Sequence, residues 1–115
     1  MAFERACAVS EVPADEALGV RIGEYDVAVA GCDGEYFALQ DLCSHAAVPL
    51  SEGEVEDCTV ECWLHGSCFD LRTGKPTGLP ATEPVATFPT EIRDVDGSAT
   101  VWVDVETTLN GVTPA

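Results

Sequence analysis

Two short cysteine–histidine pairs stand out among the 115 residues of this sequence as side chains that could bind a metal. One residue separates Cys43 from His45, two separate Cys62 from His65, and 16 residues lie between the two pairs. The chain has 2 histidines, so both belong to these pairs. Thiolate and imidazole groups bind soft and borderline metals, and the pattern therefore predicts one site with two sulfur and two nitrogen ligands.

Two kinds of metal site fit this ligand set. The commonest small zinc motif places two cysteines before two histidines and carries the histidines on a helix, whereas here the order alternates and no helix is predicted. A two-iron cluster can bind two thiolates on one iron and two imidazoles on the other, with each loop supplying one of each. The spacing favours the iron–sulfur cluster, while a structural zinc module stays open.

The charge of the chain restricts its partners. The formal net charge is −16, with Lys75 as the one lysine beside four arginines. Nucleic-acid binding needs cations that neutralise phosphates and is therefore excluded. A strongly negative chain is steered toward basic partner surfaces, although a general acidic adaptation, for example to salt, would give the same composition.

No apolar run approaches the ~20 residues of a membrane span, and the N-terminus lacks a secretory pattern. We therefore expect a cytoplasmic protein without a membrane anchor.

The remaining cysteines need a separate interpretation. A reducing cytoplasm argues against disulfide bonds, so Cys7 and Cys32 are expected to be small buried apolar residues. Cys58 and Cys68 flank the second pair and could be replacement ligands, a redox-sensing disulfide, or packing residues beside the site. Packing is favoured, because the set of two thiolates and two imidazoles is already complete.

Short runs rich in β-forming residues recur along the chain and predict an all-β fold. Asp33–Gly34 and Asp96–Gly97 lie between such runs, and Asp-Gly suits the positive φ angles of tight hairpin turns. In the last run the alternation places three valines on one face and two other residues on the opposite face: Val101, Val103 and Val105 against Trp102 and Asp104. No long amphipathic helix is apparent, which favours an antiparallel β-sandwich or barrel.

The predicted organisation is a single domain over residues 1–106. The cysteine–histidine pairs fall in two loops, about 42–48 and 61–70, where a rigid scaffold commonly presents chemistry. Residues 74–90 contain four prolines and two glycines, which predict an irregular loop of fixed shape. Residues 107–115 are expected to form a flexible tail.

The stretch CSHAAVPLSEGEVEDCTVECWLHGSCFDLRTGKPTGLPATEPVATFPTEI resembles a Rieske-type ferredoxin, and the likeness covers nearly the whole chain. It is most similar to the ferredoxin components of multicomponent aromatic-ring dioxygenases, and it also resembles stand-alone actinobacterial Rieske ferredoxins associated with iron–sulfur assembly. The resemblance implies a Rieske-type antiparallel β-sandwich with a small cluster-binding subdomain. It also implies one [2Fe-2S] cluster whose ligands are Cys43, His45, Cys62 and His65.

Other positions match or depart from the family pattern. Pro80 matches the proline-rich loop that covers the cluster, and Ser67 could donate a hydrogen bond to a cluster sulfur. Val48 and Leu64 stand where respiratory Rieske subunits have a disulfide between the cluster loops, and Phe69 replaces their tyrosine. Leu64 and its neighbour Trp63 could shield the cluster from water if they are buried or contact a partner if they are exposed, and shielding is favoured. Five acidic residues between the two loops could guide a basic partner or be an ordinary solvated face: Glu52, Glu54, Glu56, Asp57 and Glu61.

The function that the resemblance implies is one-electron transfer, from a flavin reductase to a terminal non-heme iron oxygenase. Catalysis on this chain is not expected, since an oxygenase needs a second iron site and both histidines are already used. Two alternatives stay open: an accessory protein of iron–sulfur cluster assembly and a structural zinc-binding module. The expected partners are a reductase and an oxygenase or other redox acceptor with basic docking surfaces, and neither nucleic acid nor a membrane.

Overall fold

Ten antiparallel strands form the framework of the computed structural model, which describes residues 3–44, 48–64, 66–78 and 81–114. The strands are β1 (Glu4–Ala8), β2 (Leu18–Ile22), β3 (Tyr25–Cys32), β4 (Glu35–Gln40), β5 (Val55–Glu56), β6 (Thr59–Cys62), β7 (Ser67–Asp70), β8 (Thr87–Phe88), β9 (Thr90–Val95) and β10 (Ser98–Val103). Two short 3-10 helices cover Val9–Glu11 and Leu50–Glu52. No α-helix occurs in these ranges, and none of their helices has the length and apolar character that crossing a membrane requires.

The strands form three antiparallel sheets. The largest has the order β2-β3-β4-β8, a second has the order β1-β10-β9, and the smallest has the order β5-β6-β7. The small sheet carries Cys62 at the end of β6 and packs in one apolar cluster with Cys43, so it is the part of the fold in which the resemblance predicts a cluster-binding subdomain. The all-β sandwich expected from the sequence is therefore confirmed.

Strand β3 is buried on both faces, which places it at the centre of the molecule. Val27 and Val29 belong to an apolar cluster that includes side chains of β10, while Ala28 and Ala30 belong to a second cluster that includes side chains of the small sheet. All four side chains are fully buried. Successive residues of a strand point to opposite faces; larger valines therefore face one layer, and alanines allow the small sheet to approach closely.

Both predicted hairpin turns are present. In the β3–β4 turn, Asp33 has a φ of 53° and Gly34 a φ of 77°. In the β9–β10 turn, Asp96 has a φ of 50° and Gly97 a φ of 83°. Two consecutive positive φ angles are typical of the type I′ turn that Asp-Gly favours, which confirms the prediction.

The alternation predicted for residues 101–105 holds except at Asp104. Val101, Val103 and Val105 are buried as expected, and Trp102 lies half-buried beneath the Arg93 guanidinium, 4.4 Å from its ring centroid. Asp104 is fully buried rather than exposed. Because β10 ends at Val103, the two-residue period no longer applies, and the Asp104 carboxylate instead accepts a hydrogen bond from the Glu106 backbone N–H at 2.9 Å.

The described part of loop 74–90 is irregular apart from β8, the first residue of β9, and a single bridge between Pro76 and Phe69. Asn110 ties the end of the chain to this loop. Its side-chain amide donates to the carbonyl oxygens of Thr73 at 2.9 Å and Val85 at 2.8 Å, and its oxygen accepts from the Thr87 N–H at 3.3 Å. These bonds hold residue 110 against the loop, while the flexibility of residues 107–115 as a whole stays a prediction.

We predict that Gly53→Ala destabilises the small sheet. A Cβ atom at residue 53 would overlap the carbonyl oxygen of Glu61, whose own N–H is fixed by a 2.9 Å bond to the Glu54 oxygen. Overlap with fixed backbone should lower the free energy of unfolding by about 3 kcal/mol, measured by chemical denaturation. Gly78→Ala is the matched control, because a Cβ there meets no atom within 4 Å. Equal stability of the two variants would contradict the prediction.

Candidate functional site

The first cysteine of the predicted site lies in a loop that is fixed at both ends. The Cys43 N–H donates to the Val48 carbonyl oxygen at 2.9 Å, which closes the intervening loop. The Asp41 carboxylate accepts two hydrogen bonds from Ser51, one from its N–H and one from its hydroxyl, both at 2.7 Å. Cys43 is buried, with 3% of its surface exposed. These backbone and carboxylate bonds position the thiol independently of a bound metal.

The second cysteine lies at the tip of the small sheet. Cys62 ends β6 and is opposite Ser67 in the β6–β7 pairing. Its carbonyl oxygen accepts a hydrogen bond from the Gly66 N–H at 2.9 Å, and Gly66 has a φ of 77°, which glycine adopts without strain. The turn buries Cys62 completely. Local hairpin geometry therefore brings a second thiol to the same end of the molecule.

Ser67 provides a buried hydroxyl beside this hairpin. Its oxygen accepts a hydrogen bond from the Ala81 N–H at 3.1 Å, and only 1% of the residue is exposed. Accepting this bond leaves the hydroxyl proton available for donation. Ser67 thus anchors the proline-rich loop at Ala81 and keeps one donor for another acceptor.

His45, His65 and Pro80, which complete the predicted site, lie outside the described residues. The side chains that are described, two thiols and one hydroxyl, can be compared with the surroundings that an iron–sulfur cluster requires. Cys43 and Cys62 belong to one apolar cluster of side chains beneath the two loops. Two thiol ligands in apolar surroundings, with a buried hydroxyl nearby, fit the sulfur-ligated half of a [2Fe-2S] centre. The ligand roles stay a prediction.

Trp63 and Leu64 do not shield the site, and that expectation is wrong. They follow Cys62 in the hairpin turn, and 51% of Trp63 and 44% of Leu64 are exposed. The Trp63 indole N–H donates to the Glu52 carboxylate at 3.1 Å, which holds the ring on the surface. A four-residue turn directs these side chains away from the core. They form an apolar surface, which we call the Trp63–Leu64 surface.

Cys32 and Cys58 form a disulfide bond, in contrast to the reduced packing residues expected from the sequence. Cys32 ends β3, and Cys58 lies in the β5–β6 turn with a φ of 58°. The fold brings these two turns together at a Cα–Cα distance of 5.5 Å, a typical disulfide separation. Both residues do pack against the apolar cluster that contains Cys43 and Cys62.

The other two cysteines have different environments. Cys7 is buried on β1, as predicted. Burial raises the pKa of its thiol, Glu11 raises the pKa further and Arg5 opposes the increase, so Cys7 remains a neutral apolar residue.

Cys68 is half-buried on β7 and borders an open groove of about 270 Å³. Four of the acidic residues predicted to face a partner line the same groove: Glu54, Glu56, Asp57 and Glu61.

Comparison with known proteins adds to this geometry. The Rieske [2Fe-2S] domain family matches residues 3–89. The chain is 48% identical over 91 residues to the 3-phenylpropionate/cinnamic acid dioxygenase ferredoxin subunit of Photorhabdus laumondii, covering 76% of this chain and 84% of that protein. It is similar to the Sphingomonas yanoikuyae B1 ferredoxin, with a TM-score of 0.78, 32% identity and coverage of 87% of this chain and 97% of that chain.

A further similar structure contains a ferredoxin together with its oxygenase. It is described as a complex of reduced oxygenase and oxidized ferredoxin in carbazole 1,9a-dioxygenase. The TM-score is 0.76 and the identity 31%, over 88% of this chain and 91% of that chain. The family match, over residues 3–89, includes both loops that carry the cysteines.

We predict that Ser67→Ala weakens the attachment of the proline-rich loop. Alanine leaves the buried Ala81 N–H without its acceptor, so the free energy of unfolding should fall by about 1–3 kcal/mol. Thermal or chemical denaturation measures the change. Ser98→Ala, at an exposed position on β10, is the control and should change stability by less than about 0.5 kcal/mol. A Ser67 variant as stable as the Ser98 variant would refute the role of this hydroxyl.

Proposed function

The chain belongs to the Rieske [2Fe-2S] domain family, and from this premise we propose that Cys43, His45, Cys62 and His65 bind its cluster. The protein is a one-electron carrier with a Rieske-type [2Fe-2S] cluster, rather than an enzyme. The two cysteines hold one iron and the two histidines the other, because this is the ligand division of Rieske centres. The observation that carries the proposal is the burial of both thiols in one apolar cluster beneath adjacent loops.

The surroundings of the thiols support this assignment. In the proposal, the Ser67 hydroxyl donates to a cluster sulfur, and Pro80 covers the cluster from the proline-rich loop. Phe69 is fully buried and brings no hydroxyl of its own. Hydrogen bonds to cluster sulfur favour the reduced state. A cluster with the Ser67 donor alone, and without the tyrosine donor of respiratory Rieske subunits, therefore has a lower tendency to take an electron.

We further propose that the carrier takes electrons from a flavin reductase and passes them to a terminal non-heme iron oxygenase in the cytoplasm. The names of the similar proteins support an oxygenase as acceptor, since one is a dioxygenase ferredoxin subunit and another is described in complex with an oxygenase. The substrate of that oxygenase would be an aromatic compound. Basic docking surfaces on both partners would complement the net charge of −16.

The Trp63–Leu64 surface is the proposed contact with these partners. It lies on the turn that directly follows Cys62, so a partner bound there would be close to the cluster. Exposed apolar residues next to charged ones are a common composition for a protein interface. Here Glu52 contacts Trp63 directly. The apolar pair would supply the contact energy, and the acidic residues would guide the approach.

Replacement of the natural ferredoxin in a 3-phenylpropionate dioxygenase system tests this function. We expect the purified chain to contain two irons and two acid-labile sulfides per molecule and to support reductase-dependent oxygenase turnover. Zinc without labile sulfide would instead establish the structural zinc module. A reducible cluster that supports turnover with none of several dioxygenase systems would argue against an oxygenase acceptor and favour a role in iron–sulfur assembly.

We predict that Trp63→Ala slows electron transfer to the oxygenase. Loss of a central aromatic contact typically costs about 2 kcal/mol of binding, which corresponds to a decrease of about 30-fold in the second-order rate constant. Stopped-flow reduction of the oxygenase gives this rate. Leu109→Ala is the control, because Leu109 is 65% exposed and its N–H bonds to the Thr87 oxygen on β8, not to the hairpin of Cys62. The absorption spectrum of the cluster should be unchanged in both variants. If the Trp63→Ala and Leu109→Ala variants reduce the oxygenase at the same rate, Trp63 is excluded from the interface.

We predict that Glu54→Lys reduces the association rate at low ionic strength, roughly threefold to tenfold, because it reverses a charge that attracts a basic partner. The difference should shrink at high salt as screening increases. Asp94→Lys, an exposed charge reversal on β9, serves as the control and should have a smaller effect. Association rates that are the same for Glu54→Lys and the unmodified protein at low salt would eliminate steering by this acidic surface.

A further inference from the structure

A second group of potential metal ligands lies at the disulfide. Of the described residues, Cys32, Asp33 and Cys58 are the ones that bring three ligand atoms within 4.8 Å of one another. Asp33 follows Cys32 in the β3–β4 turn, and its carboxylate is 3.5 Å from the Cys58 sulfur. The group shares no residue with the predicted cluster ligands. We propose that, when the disulfide is reduced, Cys32, Cys58 and Asp33 form a binding site for Zn²⁺.

The spacing suits a tetrahedral ion. Zinc binds sulfur at about 2.3 Å and carboxylate oxygen at about 2.0–2.2 Å, which places neighbouring ligand atoms roughly 3.5–3.8 Å apart. Ligand atoms confined within 4.8 Å satisfy this with small side-chain rotations. The fourth position is open to water. Two thiolates favour zinc over calcium or magnesium, which prefer oxygen ligands throughout.

The surrounding charges favour a cation. The three residues border an open cleft of about 450 Å³ that four more carboxylates also line: Asp15, Glu35, Glu56 and Asp57. Among the residues that the structure describes, no lysine or arginine lines this cleft. Arg72 is the opposing charge, 3.8 Å from the Asp33 carboxylate and 3.2 Å from that of Glu35. All of these ionic contacts are well exposed to solvent, so Arg72 can keep Glu35 as partner when Asp33 binds zinc.

Zinc binding and the disulfide exclude each other. A dithiol reductant breaks the S–S bond by supplying two electrons and two protons, and it becomes a disulfide itself. The two thiols then lose their protons as they bind Zn²⁺, so the zinc–dithiolate group is neutral and the Asp33 carboxylate gives the complete site one negative charge. A reducing cytoplasm would convert the pair to thiols, so zinc is the form of the cross-link expected in the compartment that we propose.

The position of the site indicates its purpose. Cys32 and Asp33 belong to the large sheet, whereas Cys58 belongs to the β5–β6 turn of the small sheet, four residues before Cys62. A zinc ion bound to both turns would join the two sheets just as the disulfide does. The subdomain that carries the predicted cluster ligands would thus stay attached to the main sandwich in both oxidising and reducing conditions.

Zinc titration of the intact, cluster-containing protein tests the proposal. The disulfide is reduced anaerobically with a phosphine, the reductant is removed, and zinc is titrated in competition with a chromophoric chelator. We expect one zinc per reduced chain, none at this site in the disulfide form, and unchanged iron and labile sulfide. Zinc K-edge X-ray absorption should show two sulfur neighbours at about 2.3 Å.

Two substitutions assign the ligands. Cys32→Ser should weaken zinc binding at least about 100-fold, and Asp33→Asn about tenfold, because they remove a thiolate and a carboxylate ligand respectively. Asp96→Asn is the matched control, since Asp96 occupies the same place in the other Asp-Gly turn, and it should leave binding unchanged. Asp33→Asn keeps both cysteines, so it tests the site even if the serine variant does not fold.

Three results would overturn the proposal. Equal zinc binding by the reduced and disulfide forms would assign the ion to the acidic surface alone. Zinc uptake accompanied by loss of iron would show displacement of the cluster, and not a second site. Oxygen neighbours without sulfur in the absorption spectrum would exclude the two cysteines as ligands.

Discussion

The burial of strand β3 on both faces is the constraint on which the rest of the structure depends. Val27 and Val29 pack toward the sheet that contains β10, and Ala28 and Ala30 pack toward the small sheet with Cys43 and Cys62. A strand covered on both sides cannot shift its register without exposing one set of these residues. The turn at its end is therefore fixed, and so are the loops that pack against it.

The small sheet depends on contacts at its two ends. At one end, Cys43 and Cys62 are positioned by backbone hydrogen bonds and by the clamp between Asp41 and Ser51. At the other end, Cys58 is joined to the large sheet. Electron transfer benefits from ligands that move little between oxidation states. Fixed backbone around the thiols and a cross-link behind them both serve that requirement.

Local sequence signals predicted the local structure well. The Asp33–Gly34 turn follows from dipeptide chemistry alone, and so does the all-β class from repeated short strands. Predictions failed where the position of a side chain depends on how strands and turns pack against one another. Asp104 is buried because β10 stops one residue earlier, Trp63 is exposed because a short hairpin turns it outward, and Cys32 bonds to Cys58 across 26 positions of sequence. The roles of the histidines rest on spacing and family membership, because they lie outside the described residues.

The hydrogen bonds of Asn110 have a practical meaning for joining this carrier to another protein. Its side-chain amide donates to the carbonyl oxygens of Thr73 and Val85 and accepts from the Thr87 N–H, so it joins both ends of the proline-rich loop. A fusion that places a reductase after residue 114 keeps these bonds, whereas one that trims the chain before residue 110 removes the contacts of Asn110 with Thr73, Val85 and Thr87. Electron-transfer chimeras built from this scaffold should therefore begin their linker beyond the asparagine.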